Sequence, residues 1–313
     1  MDINGKNIKE NILLANHTTF RIGGPARYFF GVQTKEDLIE ALKWARQKSL
    51  PYFILGGGSN LLVNDEGFDG LVIKVKSEEL KVKNDGDKLI IKAEAGVTLI
   101  KIILETTKLG YSGVEWGFGI PGTIGGAICG NAGRLGQDIS GVVKEVAILD
   151  KDLNEKKLLA SECGFGYRES RFKKTNDIIL QVLLEFKRKE LTAINQVLNE
   201  AKEVIKKSPP FPSAGCVFKN YKVAKNDVLI KNHPELNERV RGGKMGVGHL
   251  IDQCDLKGKQ IGGAKIWEGH ANYIVNTGGA KATHVISLIN VCRDSVKEKY
   301  GIILEEEIRY VGF

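Results

Sequence analysis

The sequence predicts an α+β fold, in which strands and helices do not alternate regularly along the chain. One observation is a series of short β-patterned segments separated by turn residues, such as LKVKN and KLIIKAEA around Asn84-Asp85-Gly86. A second is a set of segments with apolar residues at helical spacing. A third is a dense glycine cluster near the middle of the chain, which belongs to neither pattern.

The first elements form a small β-α-β unit. RYFFGVQ and PYFIL have strand composition and flank a predicted helix over residues 35–48, which carries Leu38, Leu42 and Ala45 on one face. The unit ends in GGGSNLL, the first glycine-rich loop.

The central elements are mostly strands. After LVIKV and the two segments around Asn84-Asp85-Gly86, we expect a helix near 98–109, ended by Gly110. The glycine-rich stretch follows, with seven glycines among the seventeen residues 117–133. VVKEVAILD and DIILQVLLEF are then long strand candidates.

The last third begins at a proline-rich break. Residues 191–207 are helical in pattern, and KKSPPFPSAG after them is a predicted domain boundary. A helix is predicted at about 283–299, with Thr283 as N-cap and Gly301 as its stop. ILEEEIRYV is predicted to be a final strand.

Length and composition indicate a globular protein of two or three domains. The chain has 313 residues, of which 42% are hydrophobic and 27% charged. No apolar run approaches the roughly 20 residues that span a bilayer. The first residues also lack the apolar core and cleavage site of a secretory signal. We therefore expect a cytoplasmic protein without a membrane partner.

Charge and cysteine usage narrow the class of ligand. The net charge of +8 favours an anionic partner, but the lysines are scattered without interleaved aromatics, so nucleic acid is not expected. A small phosphorylated ligand satisfies the charge equally well. The five cysteines contain no C-x-x-C pair, which argues against a disulfide framework and a metal site.

Two glycine-rich loops are candidate phosphate sites. Segments 56–60 and 119–126 offer runs of backbone N–H groups, and the second opens a predicted helix at Thr123. Residues 117–122 also match the dinucleotide pattern G-x-G-x-x-G, but YSGVEW before them is a poor strand and Pro121 stiffens the turn. The alternative for both loops is tight turns and close packing.

Three polar residues are candidates for chemistry. Arg168 lies among glycine and aromatic residues and could clamp a carboxylate, although arginine more often forms a surface ion pair. Cys216 could be a reactive thiol or an inert buried cysteine. Glu307 ends a run of three glutamates, which is usually solvent-facing.

Seven motifs in order resemble a known family. They are NHTTFRIGGPARY, ILGGGSNLL, GIPGTIGGAICGNAG, GYRESRF, PSAGCVFKN, LIDQCDLKGKQIGGAKIWEGHANYIVN and LEEEIRYVG, and they run from Asn16 to Gly312. On these motifs the chain is similar to the UDP-N-acetylenolpyruvoylglucosamine reductases, bacterial flavoenzymes of peptidoglycan precursor synthesis. The short segment between Arg168 and Cys216 resembles the type II form.

The resemblance implies an FAD-binding fold of the vanillyl-alcohol-oxidase (PCMH) type in two subdomains, followed by a C-terminal α+β substrate-binding domain. The expected ranges are 1–75 and 76–190 for the FAD subdomains and 200–313 for the substrate domain, whose last strand returns Glu307 to the active site. A monomer is expected.

The resemblance also implies the binding residues. Non-covalent FAD would be held by the two loops, at Gly56, Gly57, Gly58, Ser59, Asn60, Gly119, Pro121, Gly122, Thr123, Gly125 and Gly126. Substrate-contacting positions would be Tyr167, Lys207, Asn220, Gln253 and Lys257.

The implied reaction has two halves. NADPH gives a hydride to flavin N5, and the reduced flavin gives it to C3 of the enolpyruvyl ether of UDP-N-acetylglucosamine, yielding UDP-N-acetylmuramate. Arg168 and Glu307 would stabilise the charge that develops on the substrate carboxylate. C2 would take a proton from the acid at the position of Cys216.

Cys216 departs from the family, which commonly has serine there. A thiol has a reference pKa of about 8.5 and is mostly protonated at neutral pH, so it can still donate. Tyr221 and His249 are smaller departures. Two rival hypotheses are an FAD-dependent oxidase of the same fold that uses oxygen and a non-enzymatic nucleotide-sugar or RNA-binding protein.

Overall fold

The computed structural model describes residues 2–3 and 5–313. The helices of this part of the chain are α1 (Lys35–Gln47), α2 (Leu99–Lys108), α3 (Ile124–Gly130), α4 (Leu191–Lys206), α5 (Val228–Asn232), α6 (Val247–Asp252) and α7 (Ala282–Tyr300). Its strands are β1 (Asp2–Ile3), β2 (Lys6–Asn7), β3 (Lys9–Leu13), β4 (Pro25–Val32), β5 (Tyr52–Leu55), β6 (Leu61–Val63), β7 (Phe68–Val75), β8 (Leu80–Asn84), β9 (Lys88–Glu94), β10 (Tyr111–Ser112), β11 (Gly133–Arg134), β12 (Gln137–Asp138), β13 (Val143–Leu149), β14 (Glu155–Leu159), β15 (Ile178–Arg188), β16 (Ser213–Cys216), β17 (Tyr221–Lys222), β18 (Lys244–Met245), β19 (Gln260–Ile261), β20 (Ala264–Ile266), β21 (Tyr273–Asn276) and β22 (Arg309–Val311).

The chain divides into two compact units. The first comprises residues 1–12, 26–57 and 69–206, and the second comprises 13–25, 58–68 and 207–313. Each unit is therefore assembled from segments that are distant in sequence, and the chain crosses between the units at Gly57–Gly58 inside the first glycine-rich loop.

The first unit contains a four-stranded sheet in the order β3-β4-β7-β5. α1 connects β4 to β5, which pairs in parallel with β7, so β7 separates the two strands of the predicted β-α-β unit. Thr34 caps α1 by accepting a hydrogen bond from the Asp37 N–H. The buried face of α1 carries Leu38, Leu42 and Ala45, as predicted.

A six-stranded sheet completes the first unit. Its main order is β14-β13-β15-β9-β8, and β10 pairs with β15. The pairs are antiparallel, and a turn with Gly86 at φ +73° joins β8 to β9. One apolar core lies between this sheet and helices α2 and α3, and it includes the fully buried Trp116 and Phe186.

The second unit is built on the antiparallel sheet β16-β21-β20-β19. Helix α7 contributes Val285, Leu288, Ile289 and Cys292 to its apolar core. β22 pairs in parallel with β6, which joins the end of the chain to the segment that follows the first glycine-rich loop.

The structure confirms the predicted elements with two corrections. Thr283 is not the N-cap of α7: the helix begins at Ala282 after Lys281, and the carboxylate of Asp65 accepts the N–H groups of Ala282 and Thr283. The final strand is only Arg309–Val311, because the glutamates before it form a single bridge, Phe218↔Glu306, instead of a continuous ladder. In the described residues, no helix is long and apolar enough to span a bilayer.

Candidate active site

The two glycine-rich loops meet in the first unit. A Cβ added to Gly57 would lie 2.6 Å from the Cα of Gly122, and one added to Gly56 would lie 2.7 Å from Thr123 Oγ1. Side chains at 56 and 57 would therefore separate the loops. Among the residues that the structure describes, none accepts a hydrogen bond from the N–H groups of Gly57, Gly122 or Thr123.

Two glycines of the second loop have a packing role. A Cβ on Gly119, at φ +77°, would lie 2.2 Å from Ile205 Cδ1, and one on Gly125 would lie 2.9 Å from the Cβ of Ala95. For these positions the alternative explanation, close packing, is sufficient. Gly126 is different because a side chain there would meet only Thr123 Oγ1, at 3.6 Å.

Helix α3 connects the second loop to Arg168. Thr123 caps its start, accepting the Gly126 N–H at 3.3 Å, and Asn131 ends it in the left-handed conformation at φ +42°. The side chain of Asn131 donates to the Gly166 carbonyl at 2.8 Å. The Arg168 guanidinium donates to the Gly133 carbonyl at 2.8 Å and lies over the ring of Tyr167.

Arg168 is held in an unusual backbone conformation. Its φ is +55°, a region that costs free energy for a residue with a side chain. The turn is closed by mutual backbone hydrogen bonds between Gly166 and Glu169, and Lys173 Nζ donates to the Arg168 carbonyl. The local structure therefore fixes where this cation and the partly buried Tyr167 point.

In the second unit, the rest of the first loop packs on the segment before β4. A Cβ on Gly58, at φ +69°, would lie 2.1 Å from the His17 carbonyl oxygen. The Thr19 N–H donates to the Gly58 carbonyl at 3.1 Å. None of the described residues accepts a hydrogen bond from the N–H of Gly58 or Ser59.

Cys216 is the last residue of β16, whose pairing with β21 is irregular. Ser213 pairs with Val275 and Cys216 with Tyr273, with a register shift between them at Gly215, whose φ is +79°. The thiol-bearing residue is partly buried. The buried Asn272 holds the backbone two residues further on: its side chain accepts the Phe218 N–H at 2.9 Å and donates to the Phe218 carbonyl at 2.8 Å.

Glu307 lies on the segment that pairs with the residues after Cys216. Its N–H donates to the Val217 carbonyl at 2.7 Å, and its own carbonyl accepts from Asn60 Nδ2 at 3.0 Å. The second unit therefore places Cys216 and Glu307 on neighbouring segments of the chain. The other two glutamates are in ion pairs, Glu305 with Lys219 and Glu306 with Arg293.

The environments of three other cysteines suit them less to acid–base catalysis. Burial raises the pKa of Cys163 to about 11 and that of Cys292 to about 12. Burial also raises the pKa of Cys254. Because a buried thiol with a raised pKa exchanges protons slowly with water, these cysteines fit a core role.

The predicted substrate residues are divided between the units. Tyr167 belongs to the first unit, and the others belong to the second. Asn220 Oδ1 accepts the Val247 N–H at 3.4 Å, at the start of α6, and Gln253 ends the same helix. Lys257 pairs with Asp252 at 2.8 Å, and Lys207 is exposed.

Sequence reasoning missed one supporting residue in each unit. Lys74 Nζ donates to the Gly56 carbonyl, although the sequence suggests only an ordinary strand lysine in LVIKV. Asn272 supports the backbone after Cys216, and the one available signal was its place inside the GHANYIVN motif. No group of His, Cys, Asp or Glu in the described residues could hold a metal ion.

Comparisons with known proteins show which family the chain resembles. Residues 206–311 match the family model described as UDP-N-acetylenolpyruvoylglucosamine reductase, C-terminal domain, and residues 26–152 match the model of an FAD binding domain. The chain is 37% identical over 304 residues to the UDP-N-acetylenolpyruvoylglucosamine reductase of Caldicellulosiruptor bescii, covering 96% of this chain and 89% of that one.

The chain belongs to the UDP-N-acetylenolpyruvoylglucosamine reductase family. The reductase of Bacillus velezensis is a further relative, 35% identical over 302 residues, covering 96% of this chain and 92% of that one. The crystal structure of the Thermus caldophilus reductase superposes with a TM-score of 0.77 at 31% identity, over 97% of this chain and all of that one.

Membership of the reductase family makes the chain an FAD-dependent oxidoreductase. A VAO-type flavoprotein from Myceliophthora thermophila, at 11% identity and a TM-score of 0.51, covers 88% of this chain and 70% of its own, and shows the shared fold alone. The predicted fold, an FAD-binding fold of the vanillyl-alcohol-oxidase type with a C-terminal domain, is confirmed.

Proposed function

We propose that the protein catalyses the NADPH-dependent, FAD-mediated reduction of UDP-N-acetylglucosamine enolpyruvate to UDP-N-acetylmuramate. The observation that carries the proposal is the pairing of the segments of Cys216 and Glu307 in a chain of the reductase family. The reaction would be a cytoplasmic step of peptidoglycan precursor synthesis, carried out by a monomer.

FAD would be bound by the two glycine-rich loops. They approach each other at a distance that excludes side chains at 56 and 57, and they leave several N–H groups without an acceptor in the described residues. This donor set fits a pyrophosphate. FAD bound there would supply hydride-transfer chemistry between NADPH and C3 of the enolpyruvyl group. Ranges 1–75 and 76–190 would be the two FAD subdomains, and 200–313 the substrate domain.

Arg168 and Glu307 would act on the substrate carboxylate. Addition of a hydride at C3 places negative charge on the conjugated carboxylate, and a cation whose position is already fixed stabilises that charge without reorganisation. The strained turn and the hydrogen bond to the Gly133 carbonyl fix Arg168. Glu307 would assist by hydrogen bonding, with its backbone held at both the N–H and the carbonyl.

Cys216 would donate the proton. The C=C bond gains a hydride at C3 and a proton at C2, and the resulting thiolate takes a proton back from water. The bulge at Gly215 and the Asn272 hydrogen bonds to Phe218 hold the backbone before and after Cys216. Tyr167, Lys207, Asn220, Gln253 and Lys257 would contact the uridine diphosphate sugar.

The test is substrate-dependent consumption of NADPH by the purified, FAD-loaded protein, with the product identified by its mass. We expect one NADPH consumed for each UDP-N-acetylmuramate formed, and none with UDP-N-acetylglucosamine, which has no double bond to reduce. NADPH consumption that is independent of the enolpyruvyl group and produces hydrogen peroxide would contradict the proposal and favour an oxidase.

A further inference from the structure

Lys74 occupies an unusual position for a charged residue. In the parallel register of β5 and β7 it lies opposite Leu55, the last residue before the first glycine-rich loop. Its side chain reaches over the end of β5, and Nζ donates a hydrogen bond to the Gly56 carbonyl. Because Gly56 packs against Thr123, the ammonium group stands where the two glycine-rich loops meet.

The electrostatic surroundings of the Lys74 ammonium group are also unusual. The residue is partly buried, and no carboxylate among residues 2–3 and 5–313 lies within ion-pair distance of Nζ. Burial lowers its pKa, the charge of Lys76 lowers it further, and Glu78 opposes the shift. Partial burial of a cation without an anion costs free energy, and an anionic ligand beside the cation would reduce that cost.

We propose that Lys74 is the fixed cation of the FAD pyrophosphate site. The N–H groups of Gly57, Gly122 and Thr123 supply neutral donors to the phosphate oxygens, and Lys74 supplies the full positive charge. The proposal rests on the placement of the FAD pyrophosphate at the two loops, as proposed above.

The experiment measures the dissociation constants of FAD and riboflavin for the flavin-free protein, by flavin fluorescence. Lys74→Gln keeps a donor for the Gly56 carbonyl but removes the charge, and Lys74→Arg keeps the charge. Lys76→Gln, two residues further on the chain and exposed, is the matched control. Riboflavin has the isoalloxazine ring but no phosphate. Its dissociation constant therefore responds to the shape of the loops but not to the charge at the pyrophosphate site.

We expect Lys74→Gln to weaken FAD binding at least about tenfold, the effect of losing one charge-assisted contact. The same variant should change riboflavin binding less than about twofold. Lys74→Arg and Lys76→Gln should bind FAD within about threefold of the unmodified protein. Equal weakening of both ligands, or unchanged FAD binding by Lys74→Gln, would overturn the proposal.

A second measurement covers the case in which Lys74→Gln does not fold. The unmodified protein is acetylated with and without FAD, and the labelled lysines are mapped by mass spectrometry. FAD should protect Lys74 and leave Lys76 reactive, and unprotected Lys74 would overturn the proposal. If the unmodified protein binds no FAD at all, the proposed function itself fails, which separates the two outcomes.

Discussion

The proposed proton donor, Cys216, carries a thiol, a group that ionises within the pH range of ordinary enzyme assays. The hydroxyl of a serine at this position would not titrate in that range. Because the proton must be present on the donor, activity should fall as pH rises through the pKa of the thiol, whose reference value is about 8.5. We expect the Cys216→Ser enzyme to lack this alkaline loss and to resist thiol alkylation.

The matching measurement is the pH dependence of kcat for the unmodified enzyme, Cys216→Ser and Cys216→Ala. Removal of the donor in Cys216→Ala should lower kcat by about 10²–10⁴-fold, as is usual for a general acid. Cys254→Ala is the control for the loss of a cysteine in general, and its kcat should still fall at alkaline pH. Identical pH profiles for the unmodified enzyme and Cys216→Ser would refute the role of Cys216.

Asp150 should contribute to the decrease in stability of the first unit as pH falls. Its hydrogen bond with Lys156, together with those from the Asn154 and Asp152 N–H groups, lowers its pKa to about 2, although burial opposes this. A carboxyl whose pKa is lower in the folded state stabilises the fold above its ordinary pKa of about 3.9, and loses that contribution as pH falls towards about 2.

Replacement of Asp150 by Asn should therefore lower the melting temperature at neutral pH and flatten its decline between about pH 4 and pH 2. Thermal unfolding followed by circular dichroism across this pH range measures both effects. Asp152→Asn, at an exposed carboxylate of the same turn, is the control. An unchanged acid decline in Asp150→Asn would show that other carboxylates cause it.

At the scale of elements, the strand that carries Cys216 depends on Asn272. This side chain is buried and satisfies both the N–H and the carbonyl of Phe218. Its loss leaves two buried backbone groups unsatisfied, at about 1–3 kcal/mol each. We expect Asn272→Ala to lower the free energy of unfolding by about 2–4 kcal/mol.

Urea denaturation measures this change, and Asn290→Ala, at an exposed asparagine of α7, is the control. Because Asn272 also orients the backbone after Cys216, kcat should fall in conditions where the Asn272→Ala protein is fully folded. A variant with undiminished stability would contradict the importance of these two hydrogen bonds.

The start of α7 shows why element boundaries resist prediction from local sequence. Thr283 has the composition of an N-cap, but the carboxylate of Asp65 binds the Ala282 N–H at 2.6 Å and the Thr283 N–H at 3.1 Å. A residue more than two hundred positions away thus satisfies the helix terminus. The local pattern predicts the helix itself but contains no signal for this contact.

At the scale of the whole molecule, the sequence predicted the class of most elements because their apolar periodicity is local. It could not predict that segments 13–25 and 58–68 join the C-terminal unit, since this depends on contacts such as β6 with β22. Residues with motif signals, such as Gly57 and Arg168, were predicted from the sequence as binding or catalytic residues. Lys74 was not, because its proposed role depends on the parallel pairing of β5 with β7, which lets its side chain reach the Gly56 carbonyl.

The central claim is that one flavin passes electrons from NADPH to the enolpyruvyl group, and an anaerobic experiment tests it most directly. The flavin of the purified protein is first bleached with NADPH in the absence of oxygen, and UDP-N-acetylglucosamine enolpyruvate is then added while the flavin absorbance is followed. We predict rapid return of the yellow colour with formation of UDP-N-acetylmuramate. A flavin that stays bleached until oxygen is admitted would contradict the claim.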